Sequence, residues 1–179
     1  MTVTVVPETF SFVFFDAAEI ARVVDALLDR LGLGGIDVVV EVDESTPVTR
    51  VEIDEGTPLV LRAGSGALED TRMPRTFSEV ATQVNLGRLL LRRRDRASGA
   101  FVDAPADHDL GLAALAAWDV TCVGRLSRMG IRVHEPRWRY NLRNRLGFSD
   151  VTDATFDRLW ALESPTWSDI TAAATAVAT

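Results

Sequence analysis

Residues 36–61 run Ile36-Asp-Val-Val-Val-Glu-Val-Asp-Glu-Ser-Thr-Pro-Val-Thr-Arg-Val-Glu-Ile-Asp-Glu-Gly-Thr-Pro-Leu-Val-Leu61, and the fold class turns on how this stretch is read. Ile36, Val38, Val40 and Val42 alternate with Asp37, Glu41 and Asp43, the two-residue period of a strand with one buried face. Val51 and Ile53 alternate with Arg50, Glu52 and Asp54, while Leu59 and Leu61 flank Val60. The connectors Glu44–Pro47 and Glu55–Pro58 are short and similar. An antiparallel three-stranded meander is the economical reading. Glu41, Arg50 and Glu52 would then be neighbours on its solvated face.

Upstream, Thr2–Val6 reads as a strand ended by Pro7, and Phe10–Phe15 as a second, with Phe10, Phe12 and Phe14 on one face. Asp16-Ala-Ala-Glu19 has capping-box spacing, and Ile20, Val23, Val24, Leu27, Leu28 and Leu31 recur at helical period before Gly32, Gly34 and Gly35 stop the helix. Downstream, Gly64–Arg75 reads as a loop. Thr76-Phe-Ser-Glu79 is a second capping box, opening a helix to about Arg94. A long helix is predicted over Asp107–Met129, with Leu112, Leu115, Trp118, Cys122, Leu126 and Met129 on its stripe. A short strand is expected at Ile131–Val133. Pro136 and Gly147 bracket a further helix with Trp138, Leu142 and Leu146 inward, and helices over Ser149–Leu162 and Trp167–Val177 complete the chain.

The reading is an α+β fold: strand, helix and meander, followed by a cluster of four to five helices. It is taken as one domain over 1–179, with an acidic α/β layer at 1–71 and a helical part at 72–179 whose centre is basic. This element order is similar to that of small zinc-peptidase folds. Those enzymes hold zinc on two histidines one helical turn apart, and the helix at 76–94 has no histidine.

Composition narrows the chemistry. The 179 residues suffice for one sizeable core, and no apolar run approaches the roughly 20 residues of a membrane span. Phe10–Phe15 has no basic flank of the kind a signal peptide carries. The single cysteine suits a reducing cytoplasm, which is the location expected. All nineteen basic residues are arginine, so Schiff-base and phosphate-loop lysines are excluded. The net charge of −7 is unevenly spread. Residues 1–71 hold four Arg against fourteen acids, residues 72–145 fourteen Arg against seven, and residues 146–179 one Arg against five. A cationic centre between acidic flanks implies either internal pairing or an anionic partner.

The candidate binding surface is the segment from Arg125 to Arg145, with seven arginines and one acid. Its cations are Arg125, Arg128, Arg132, Arg137, Arg139, Arg143 and Arg145, interleaved with Trp138 and Tyr140. Guanidinium and aromatic groups together can grip anions and carry interface energy. Asp119 lies on the apolar stripe between Trp118 and Cys122, and Arg88 falls between Val84 and Leu91. Each needs a partner if buried, which makes the two a candidate buried pair. His108 with Asp103, Asp107 and Asp109, and His134 with Glu135, are the residues from which a metal site could be assembled. Their spacing does not recommend it, since Asp107-His108-Asp109 is also an acidic helix start and His134 precedes Pro136 at a loop-to-helix junction. Cys122 reads as a core thiol. Gly64-Ser65-Gly66 lacks the flanks of a nucleophile elbow.

These readings converge on a non-catalytic binding or accessory protein. Its Arg/aromatic segment would contact an acidic protein surface or its own dimer mate, and no cofactor or membrane association is expected. One alternative is a metal-assisted hydrolase built on His108, His134 and nearby carboxylates. The other is nucleic-acid binding, which an isoelectric point near 4.8 disfavours.

Overall fold

The computed structural model describes residues 2–176. The chain divides into two compact units, Met1–Leu90 and Leu91–Thr179, and is mixed α+β. No helix among the described residues is long and apolar enough to cross a membrane.

In the first unit, β1 (Val3–Val6), α1 (Ala17–Arg30), β2 (Val38–Asp43), β3 (Val51–Asp54) and β4 (Leu59–Gly64) build a four-stranded sheet of order β1-β2-β4-β3. Asp16 caps α1 by accepting from the Ala18 N–H at 2.8 Å. The predicted stripe of α1 is buried, Leu31 included. It faces inward with Val38, Val40, Leu59 and Leu61, all at most 2% exposed.

The meander is corrected. β2 pairs with β4 in parallel, Val38 opposite Leu59 and Val40 opposite Leu61, and β3 pairs antiparallel with β4 at the sheet edge. The near-continuous apolar runs Val38-Val39-Val40 and Leu59-Val60-Leu61 suit central parallel strands, whereas β3, alternating with charge, suits an edge. To reach that edge, the connector after β2 crosses the end of β4. It passes so close that a Cβ on Gly64 would lie 2.5 Å from the Val48 carbonyl oxygen, and one on Gly66 would lie 2.4 Å from that of Pro47. The two glycines are required by this crossing.

Phe10–Phe15 is not a strand. The Ser11 and Phe12 N–H groups donate to the Glu44 carboxylate at 2.7 and 2.6 Å, so a side chain takes the place of a ladder. Val13 is buried, while Phe12 and Phe14 are exposed, and Phe14 forms a lone bridge to Thr76. The expected loop at 64–75 contains a small hairpin, β5 (Glu69–Asp70) and β6 (Met73–Phe77). Thr76 belongs to β6, so the helix α2 (Glu79–Arg96) starts later than its first capping signal. Ser78 caps it instead, accepting from the Ala81 N–H.

From Leu91, α2 belongs to the second unit, which continues with α3 (Leu112–Arg128), α4 (Glu135–Leu146), α5 (Asp150–Ala161) and α6 (Trp167–Thr175). Asp107–Asp109 is a separate 3-10 turn, and α3 begins only at Leu112. Asp107 spends its carboxylate on Arg92 and Arg96 rather than on capping. Ile131–Val133 is not a strand. Pro136 and Gly147 bracket α4 as the sequence implies, and Val177 lies outside the described residues.

In this unit α3 packs against α4, α5 and α6. The buried Trp118 stacks on Phe101 with ring centroids 4.7 Å apart and meets Trp167 at 5.7 Å. At Gly124 the helix passes so near α5 that a Cβ would sit 2.3 Å from the Trp160 carbonyl oxygen.

Candidate functional site

Asp119 is buried, as its place on the α3 stripe implies, and accepts from Arg92 Nη1. Arg92 stands one helical turn after Arg88, which is half-buried. It also donates to Asp107 at 2.9 Å, and Arg96 donates to the other Asp107 oxygen at 2.5 Å. Burial works against the charge of Arg92, but Asp119 and Asp107 outweigh it and raise its pKa. Burial also favours protonated Asp107, yet Arg92 and Arg96 hold that carboxyl below its ordinary value.

One turn further, Asp95 grips Arg125 through two bonds of 2.7 Å and accepts from the Trp118 indole N–H at 2.8 Å. Asp95 and Arg125 are both buried. Burial opposes the Arg125 charge, but the hydrogen bonds and charge of Asp95 carry its pKa upward. Cys122, 3.4 Å from Arg125, is fully enclosed, and burial pushes its thiol up to about 12. It is a core thiol in an electrostatic lattice, poorly suited to nucleophilic work. In the sequence Asp107 reads only as part of the acidic helix start or metal candidates beside His108, and Asp95, within Arg92-Arg-Arg-Asp-Arg96, is not singled out. The signal for it was the adjoining Leu89-Leu-Leu91 run, buried on every side.

The Arg/aromatic segment separates by face. Arg125 is consumed by Asp95. Arg128 donates to the carbonyls of Trp160 and Leu162 at 2.5 and 2.6 Å, capping the end of α5. Along α4, Trp138, Leu142 and Leu146 are buried. Arg139 and Arg143 occupy one flank. Arg139 donates to Glu135 at 2.9 Å and Asp157 at 2.6 Å, and its guanidinium lies 4.1 Å over the Phe156 ring. Arg143 grips Asp153 at 2.8 and 2.6 Å, and its hydrogen bonds keep that carboxyl below the ordinary range.

The outward stripe of α4 carries Arg137, Tyr140, Asn144 and, just past its end, Phe148, all exposed. Tyr140 and Phe148 meet edge to face with centroids 5.8 Å apart. Arg132, Arg137 and Arg145 are exposed and form no ion pair with a described carboxylate. Guanidinium groups at this site therefore fall into two sets: four that hold the fold and three that face water.

On the other flank of α4, Asn141, Asn144 and Arg145 border a cleft of about 210 Å³ against Leu112, Leu115, Ala116 and Asp119 of α3, with Trp138. Larger depressions of about 390 and 570 Å³ in the first unit are lined by engaged groups. In one, Ser65 donates to Glu69 at 2.8 Å and Glu44 takes the Ser11 and Phe12 N–H groups. In the other, Arg62 reaches Glu41 at 2.8 Å and Asp54 at 3.7 Å, and Arg50 pairs with Glu52.

The histidines are not brought into a common centre. His108 is exposed beside Asp109 at 3.4 Å, and His134 is exposed next to Glu135, whose carboxylate is taken by Arg139. No group of three or more His, Cys, Asp or Glu suited to a metal ion occurs among the described residues. Comparison with protein-family models, curated proteins and solved structures gave no match.

Proposed function

We propose that this is a binding protein whose contact surface is the outward stripe of α4, and that its partner is an acidic protein surface. The observation that carries the reading is the solvent-facing set Arg137, Tyr140 and Phe148, with two large aromatic side chains 56% and 65% exposed. Rings held against each other lose little entropy on docking, and a neighbouring guanidinium supplies directed hydrogen bonds, which is the profile of an interface anchor. Pairing this face with its own copy would bring like charges together, a cost that an acidic surface avoids. Nucleic acid fits less well, because Arg125, Arg139 and Arg143 already have carboxylates and three free guanidinium groups neutralise few phosphates.

Photo-crosslinking from position 140 in the native host tests this. With Tyr140 replaced by p-benzoylphenylalanine, one discrete adduct with a protein of acidic surface is expected, and Arg137→Glu should abolish it. An adduct containing two copies of this chain would move the reading to self-association. A yield no greater than from Val102, an even more exposed position, would refute the stripe as an interface.

A further inference from the structure

We infer that the cleft between α3 and α4 binds a small organic monocarboxylate with an apolar body. This site lies on the flank of α4 turned toward α3 and shares only Asn144 with the outward stripe. Its cation is Arg145, exposed and without an ion pair among the described residues. A guanidinium takes a carboxylate through two parallel hydrogen bonds, and such charge-assisted pairs are the strong ones. Asn141 precedes Arg145 by one helical turn and Asn144 adjoins it, so amide donors and acceptors border the same opening.

The opposite wall is apolar and incompletely covered. Leu112 is 59% exposed and Leu115 half-buried at the start of α3. Covering such surface contributes roughly 25 cal/mol per Å². Ala116 is what keeps the space open, since a longer side chain there would occupy it. The volume falls below the roughly 300–1,000 Å³ of clefts that accept drug-sized molecules. The occupant is therefore one ring or one short branched chain plus its acid group.

Asp119 at the floor does not forbid an anion. Its charge is countered by the buried Arg92, which is itself anchored to Asp107. It does argue against a phosphate ester, whose second negative charge would meet one available arginine and a nearby carboxylate.

Benzoate is the probe, and benzamide its uncharged counterpart. In ¹⁵N-labelled full-length protein, benzoate should shift the side-chain amide signals of Asn141 and Asn144 along one saturable curve. Benzamide should bind about tenfold more weakly or worse, the loss expected of one charge-assisted pair. Arg145→Met, which keeps much of the apolar stem, should weaken benzoate by a similar factor. Ala116→Leu should abolish binding by filling the cleft, and Tyr140→Ala should leave it unchanged. Non-saturating shifts, equal affinity for benzamide, or undiminished binding by Arg145→Met or Ala116→Leu would each overturn the assignment.

Discussion

Asp95→Asn removes one charge from the enclosed lattice of the second unit and leaves its shape nearly intact. Asp95 and Arg125 are 7% and 5% exposed, so water screens neither. Asparagine can still accept from the Trp118 indole, but Arg125 would then be a buried cation without its counterion. Breaking such a pair costs about 3–5 kcal/mol, against a total stability of roughly 5–15 kcal/mol for a domain. Arg125→Met should cost a similar amount, because it strands Asp95 instead. The double variant strands no charge. Its remaining cost is an imperfectly satisfied amide, about 1–3 kcal/mol, well short of the sum of the single changes. Urea unfolding followed by tryptophan fluorescence is the assay, since Trp118, Trp138, Trp160 and Trp167 all belong to Leu91–Thr179. A single-variant loss below about 1 kcal/mol, the level of an exposed pair, would refute the reasoning. So would a double variant that loses the full sum.

Gly124→Ala gains about 1 kcal/mol of helix propensity, but its methyl would sit 2.3 Å from the Trp160 carbonyl oxygen. Overpacking of about 1–3 kcal/mol should dominate and lower the urea midpoint, whereas a raised midpoint would contradict the close approach of α3 and α5. Asp107→Asn tests the Arg92–Asp107–Arg96 cluster through pH. The carboxyl pKa is depressed in the folded state from 3.8, so its contribution is present above that value and lost as pH falls through the folded pKa. The stability gap between wild type and variant should hold from neutrality to near pH 3.8 and then close on further acidification. A gap that persists undiminished into acid would oppose the assignment.

Much of the secondary structure was legible because its signals are local. Asp16 caps α1, and Pro136 and Gly147 bracket α4, through bonds reaching only a few residues along the chain. Strand order was not legible from alternation alone, since alternation fixes which face is buried and says little about neighbours. The cue was the contrast between the unbroken apolar runs of β2 and β4 and the charged alternation of β3. Phe10–Phe15 misled for a related reason: strand-like composition does not supply a ladder partner, and Glu44 had already taken the backbone donors.

The arginine segment shows where local reading ends. Its cation count and aromatic spacing were visible, and so was the oddity of a carboxylate at Asp119. Which guanidinium groups the fold consumes depends on contacts across long separations, such as Asp95 with Arg125, thirty residues apart. The helical wheel of α4 sorts the rest. Arg139 and Arg143 share a flank beside the α5 acids, and Arg137 shares the outer stripe with Tyr140.

That division between fold-holding and outward arginines is tested most directly by charge reversal on the two faces of α4. Urea midpoints read from tryptophan fluorescence would be compared for Arg139→Glu and Arg137→Glu. The first should fall clearly, because a carboxylate would replace the cation held by Glu135 and Asp157 over Phe156. The second should match wild type, as expected for a side chain facing solvent. Equal losses, or a loss confined to Arg137→Glu, would contradict the account.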